Sequence, residues 1–353
     1  MLHHGRRGIL GKGGNETQAV AVANSGTPFI HAWRWTDTTG FGTKYADPTT
    51  LPTGSGQSIA FSPAGDAVVV GHSITPFITA YPWNPATGFG TKYANPATLP
   101  TGQGLDIAFS PAGDVVVMAH DVSPFVAAYP WNSTTGFGIK YSNPAVLPAG
   151  TGYGVGVSPA GDAVVVGHAT TPFLAAYRWD PLTGFGTKYA NPTVLTPNVT
   201  TGCTFSSAGD VLLVGQGNTP FIGAFQWSLA TGFGTKFANP ASLPGSVANS
   251  PTFSPAGDVV LCGTQTTPRI HAWRWDSTTG FGTKYANPTV LPISIVYGTA
   301  WSTSGNAVIV SHSSGPIAAY QWTYASGFGT KYADPPLNPG GAGLAISFRK
   351  IPT

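Results

Sequence analysis

Charge is the scarcest property of this chain. Of 353 residues only 8% are Asp, Glu, Lys or Arg, against roughly 25% in ordinary soluble proteins, and Glu16 is the only glutamate. A net charge of +3 with lysines spread evenly along the chain forms no concentrated basic patch, so a nucleic-acid partner is not expected. Long apolar runs are missing too. Nothing approaches the ~18 residues of a membrane-spanning helix, so no membrane insertion is expected. The N-terminal segment offers only Ile9-Leu10 where a secretory signal needs an apolar core of about 7–15 residues. Cys203 and Cys262 are too few for a disulfide framework. What is abundant is Gly, at 47, and Pro, at 32, which favour tight turns and work against long helices.

Self-similarity sets the architecture. The hexapeptide Gly-Phe-Gly-Thr-Lys-Tyr begins at Gly40, Gly88, Gly184, Gly280 and Gly327, and with one change at Gly136 and Gly232. A second signature, Phe-Ser-Pro-Ala-Gly-Asp, begins at Phe61, Phe109 and Phe253 and is modified at Val157, Phe205 and Trp301. Together they define seven units at a nearly constant spacing of 48 residues. Each unit reads as four strands. In one of them, residues 104–110 alternate, 111–114 supply turn chemistry, 115–118 form a buried run, 125–131 alternate again, and 137–141 form an edge strand. Four short strands per 40–50 residues predict a β-propeller blade. The fold class expected is all-β: a seven-bladed β-propeller with four antiparallel strands per blade. Only two strands precede Gly40, and residues 343–348 match the first strand of a unit. The C-terminal strand is therefore expected to close the N-terminal blade against residues 18–22. The domain division is a flexible, basic, Gly-rich arm over residues 1–14 and a single propeller over 15–353.

The turn Phe109-Ser-Pro-Ala-Gly-Asp114, the Val-rich strand after it and the aromatic strand ending at Trp131 resemble the WD-repeat propellers. The Trp-Asp pair itself survives only at Trp179-Asp180 and Trp275-Asp276. The near-identical copies, with Pro-Phe-Ile-Thr-Ala-Tyr and Ala-Asn-Pro-Ala-Thr-Leu-Pro, are similar to propeller repeats of phage and prophage structural genes. That resemblance implies a virion location and a role in attachment.

Four repeated series are candidates for function. Asp66, Asp114, Asp162, Asp210 and Asp258 share one turn, where hydrogen bonding within the turn accounts for them. Trp33, Tyr81, Tyr129, Tyr177, Phe225, Trp273 and Tyr320 either pack between blades or stack on sugars; large residues opposite a small-residue face favour packing. Lys44, Lys92, Lys140, Lys188, Lys236, Lys284 and Lys331 form a ring on the outermost strands, where an exposed lysine discourages foreign strand pairing. Asn24, His72, His120, His168, Gln216, Thr264 and His312 close the second strand of every blade and form a candidate binding ring, with turn capping as the plainer role. Arg6, Arg7 and Lys12 make the N-terminal arm a candidate docking element.

Catalysis requires unlike groups converging on one reacting atom, and sevenfold repetition supplies like groups. No enzyme, cofactor or metal site is therefore expected. The expectation is a non-enzymatic, virion-associated structural or adhesion module docking on another virion protein or a host surface glycan. A free multivalent lectin and a WD-type interaction scaffold are the alternatives.

Overall fold

The computed structural model describes residues 18–315, 317–337 and 340–350. The candidate arm with Arg6, Arg7 and Lys12 lies outside these residues. Twenty-eight strands and no helix make up the described part, in seven antiparallel four-stranded sheets. Blade 1 contains Gly343–Lys350, Gln18–Asn24, Ile30–Thr36 and Gly40–Lys44. Blades 2 to 7 follow in chain order, with innermost strands Gly56–Phe61, Gly104–Phe109, Gly152–Val157, Thr200–Phe205, Ala248–Phe253 and Val296–Trp301. Each innermost strand touches the next, and the last touches that of blade 1, so the ring is closed. Closure is as the sequence predicts: Gln18 pairs with Lys350, Val20 with Phe348 and Val22 with Ile346.

The core is distributed between the blades. The seven-membered aromatic series from Trp33 to Tyr320 is 0% exposed, which makes it packing and removes it from sugar stacking. The last aromatic of each hexapeptide reaches forward onto the tryptophan of the next blade. Tyr45 lies edge-on to Trp83, Tyr141 to Trp179, Phe237 to Trp275, and Tyr332 closes the circle on Trp35. Several of these tyrosines also donate to a carbonyl of that blade, Tyr45 to Pro85 at 2.7 Å and Tyr189 to Leu229 at 2.9 Å. Each such buried ring contributes about 1.5–3 kcal/mol by burial, with a further ~0.5–1.5 kcal/mol from edge-to-face geometry.

The repeated aspartates do what turn chemistry predicts. Ser62 Oγ donates to Asp66 Oδ1 at 2.7 Å, and the same bond recurs at Ser110–Asp114, Ser158–Asp162, Ser206–Asp210 and Ser254–Asp258. The fourth strand departs from expectation in two blades. It spans five residues in most, but only Gly88–Phe89 in blade 2 and Gly136–Phe137 in blade 3. The reason lies on the third strand. Pro82 and Pro130 stand there, where the other blades have Arg34, Arg178, Gln226, Arg274 and Gln321. Pro130 accepts from Gly138 N at 2.8 Å but has no N–H to return, so the ladder is interrupted there, although Tyr141 N still donates to Ala128 O at 3.0 Å.

Candidate functional site

Because the innermost strands surround the axis, the residues they point inward decide what the ring can bind. A cavity of about 420 Å³ opens at the beginning of these strands and is lined from all seven blades. At the second position of the innermost strand the blades carry, in order, Leu344, Gln57, Leu105, Tyr153, Thr201, Asn249 and Tyr297. One residue further they carry Ala345, Ser58, Asp106, Gly154, Gly202, Ser250 and Gly298. The hexapeptides and the packing tryptophans repeat almost unchanged, yet neither axial position has a residue common to all seven blades. The repeat is broken at the axis. Amides, hydroxyls, two phenols and one carboxylate converge there, and Asp106 is the only charged side chain among the described residues lining the cavity.

Asp106 is half-buried in the channel wall and is held by two backbone donors. Ile107 N donates to Oδ1 at 2.9 Å, and Val155 N of the next blade donates to Oδ2 at 2.8 Å. Burial disfavours the carboxylate and pushes its pKa up to about 7, against the opposing pull of the Val155 and Ile107 amides. The other axial side chains are anchored in a similar manner. Thr201 Oγ1 donates to Ala248 O at 2.5 Å, Asn249 Nδ2 to Val296 O at 2.9 Å, and Ser58 Oγ to Gly104 O at 3.1 Å. Each fixes its own position by bonding to the following blade. Gly154 and Gly202 allow the inner strands of blades 4 and 5 to approach, since a Cβ on Gly154 would stand 2.6 Å from Gly202 Cα.

The series singled out from the sequence lie elsewhere. Asn24, His72, His120, His168, Gln216, Thr264 and His312 do close the second strands, each within its own blade and no more than 2% exposed. The structure does not bring them together, and solvent does not reach their side chains. Their bonds are local. His72 Nε2 meets Thr79 Oγ1 at 2.9 Å, Asn24 Nδ2 donates to Gly26 O at 2.6 Å, and Thr264 Oγ1 donates to Thr266 O at 3.1 Å. Burial lowers the pKa of His72, His120 and His168 to about 4 and lowers that of His312 as well, which keeps them neutral. The lysine ring is half-buried rather than exposed. Lys44 and Lys331 pair with Asp47 and Asp334, while Lys188 donates to Asn191 at 2.6 Å and Lys284 to Asn287 at 3.0 Å.

Asp106 stands outside every repeated series, so periodicity in the sequence does not single it out. The signal was present in the opposite sense: a step of 48 in either direction from Asp106 meets Ser58 and Gly154. Among the described residues no group of three or more His, Cys, Asp or Glu is placed to hold a metal ion.

No protein-family model matches the sequence, and no curated protein matches it. Solved structures do. A candidate 6-phosphogluconolactonase from Bacteroides fragilis aligns over 94% of this chain and 98% of its own, with a TM-score of 0.75 and 13% identity. A second, from Bacteroides uniformis, aligns over 94% and 99% with a TM-score of 0.73 and 12% identity. The periplasmic gluconolactonase of Pseudomonas aeruginosa aligns over 96% and 100% with a TM-score of 0.71 and 16% identity. At these identities the likeness is one of fold, and it establishes the seven-bladed propeller. It also corrects the functional expectation. The ring shares its architecture with proteins named as lactonases, which overturns the expectation of a non-enzymatic virion module. The physical error was to extend the repetition of the blades to the axis, where no residue is common to all seven blades.

Proposed function

We propose that the chain is a hydrolase that opens an uncharged, polyhydroxylated lactone in the axial cavity, with Asp106 as general base. The observation that carries this reading is the convergence of unlike polar groups around one carboxylate, at the place where the seven repeats diverge. The lactonase names borne by propellers of the same fold supply the reaction class. The WD-repeat resemblance supports the architecture and adds no residue to the cavity.

The chemistry needs one water. Asp106, as carboxylate, takes a proton from it, and the water oxygen bonds to the lactone carbonyl carbon. The carbonyl oxygen carries the negative charge of the tetrahedral intermediate, for which the Gln57 and Asn249 amides and the Tyr153 and Tyr297 hydroxyls are the nearby donor types. As the carbonyl re-forms, the bond to the ring oxygen breaks and Asp106 returns the proton to that oxygen. A hydroxy acid leaves and the carboxylate is restored. A base with a pKa near 7 is matched to work at neutral pH. Amides, hydroxyls and half-exposed tyrosine rings suit a sugar-acid lactone. The cavity lining contains no Lys, Arg or His among the described residues, so a phosphorylated lactone would enter without a countercharge.

The test is hydrolysis of glucono-δ-lactone, followed by acid release in a pH-stat. The intact protein should exceed the uncatalysed rate, and its kcat should rise with pH through about 7. Asp106→Asn should lower kcat about 100-fold or more with KM little changed and the fold intact by circular dichroism. A rate no greater than that without protein, for both neutral and phosphorylated lactones, would sink the proposal.

A further inference from the structure

The far ends of the innermost strands carry a second irregularity. At the sixth position of that strand six blades place an aromatic ring: Phe348, Phe61, Phe109, Phe205, Phe253 and Trp301. Each lies edge-on to the third-strand tryptophan of its own blade, with centroids 5.0 to 5.7 Å apart. Blade 4 has Val157 instead, preceded by Gly156 where the other blades have Ala, Ser or Thr. Trp179 in that blade keeps its rings from Tyr141 and Phe185, and Val157 packs against the same apolar cluster.

A cavity of about 440 Å³ opens at this place, spanning blades 3, 4 and 5. Its walls include the rings of Phe109 and Phe205, the prolines Pro111 and Pro159, and Val157 itself. No charged residue lines it among the described residues. The glycine at 156 lets the inner strands of blades 4 and 5 lie close together. A Cβ there would stand 3.2 Å from Cys203 O and 3.7 Å from the Phe205 ring, with no atom nearer. Val157, smaller than the ring that the other six blades carry at this position, stands in the blade at the middle of the cavity.

We infer that this cavity is a binding site for a neutral, flat aromatic molecule of one or two rings, separate from the axial site and independent of the hydrolase reading. The occupant follows from how the chain fills the equivalent space elsewhere. In six blades the position is taken by a phenyl or indole ring, and here two flanking phenylalanines and two prolines remain to receive one. Walls that are largely apolar, with Thr204, Ser206 and Ser207 along one side and no countercharge, disfavour a charged ligand, and the volume lies in the range of small-molecule sites.

The test uses indole as the probe, with calorimetry and saturation-transfer NMR on the whole chain. The wild-type protein should bind indole saturably. Val157→Phe, which restores the residue used by most of the other blades, should raise the Kd at least 10-fold while leaving Tm unchanged or higher. Val157→Leu fills less of the space and should raise the Kd by a smaller factor, which keeps a readout if the phenylalanine variant folds poorly. Glucono-δ-lactone hydrolysis should be the same in all three proteins. Indole binding as tight in both variants as in the wild type would overturn the inference, as would the absence of saturable binding to the wild type.

Discussion

Gly184 and Gly161 share a left-handed backbone, at φ +86° and +72°, and differ in what surrounds them. An alanine at either position bears the left-handed cost of about 1–2 kcal/mol. At Gly184 the new Cβ would also stand 2.9 Å from Tyr141 Cδ1, in the inter-blade seam, whereas at Gly161 the nearest atom is Pro111 Cδ at 3.9 Å. Gly184→Ala should therefore be the more destabilising by about 1–3 kcal/mol, a typical cost of overpacking. Equal midpoints for the two variants in chemical denaturation would show that the tyrosine gives way without cost. The same scale explains what was and was not legible in the sequence. The repeated Asp66 series could be assigned to turns because Asp after Gly in a tight turn has a local cause. Asp106 could not be assigned, since its meaning depends on facing an axis formed by residues from all seven blades.

Strands and their limits were readable wherever the deciding residue lies in the strand itself. The alternating runs and the Pro-Ala-Gly-Asp turns gave the first three strands of each blade. The fourth strand was over-extended in blades 2 and 3, because its length depends on a proline across the ladder and not on its own Gly-Phe-Gly sequence. That account is testable. Replacing Pro130 with glutamine supplies the N–H that Gln226 supplies in blade 5. The new amide at position 130 should be protected from hydrogen exchange at least 10-fold over a free peptide, and the fourth strand of blade 3 should lengthen beyond Phe137. Exchange at the free rate would place the cause of the short strand elsewhere.

For the molecule as a whole, buried histidines set the response to acid. His72, His120, His168 and His271 are held neutral by burial, each with its pKa lowered to about 4, against about 6.5 when exposed. As pH falls from 6.5 to 4 the unfolded chain takes up these protons and the folded one does not, so stability declines across that window by about 1.4 kcal/mol per pH unit for each proton difference. Asp106 acts in the opposite direction. Its raised pKa favours the folded state at low pH and loses that contribution as pH rises from about 4 to 7. The histidines, joined by His31 and His312 whose pKa burial also lowers, outnumber the one carboxylate, so Tm should fall steadily on acidification from pH 6.5 to 4, and a flat profile would contradict their burial. The closed architecture itself was legible because the period of 48 residues and the surplus strand at residues 343–348 are both written in the chain. The pairing of Gln18 with Lys350 also bears on how the ring comes to exist. Blades 2 to 7 are built from neighbouring sequence and form through local contacts, whereas blade 1 joins segments from opposite ends of the propeller. A contact of such high order adds the loop-closure entropy of the whole ring to one step. During synthesis Gln18–Asn24 waits, with its inner edge unpaired, until Gly343–Lys350 has left the ribosome.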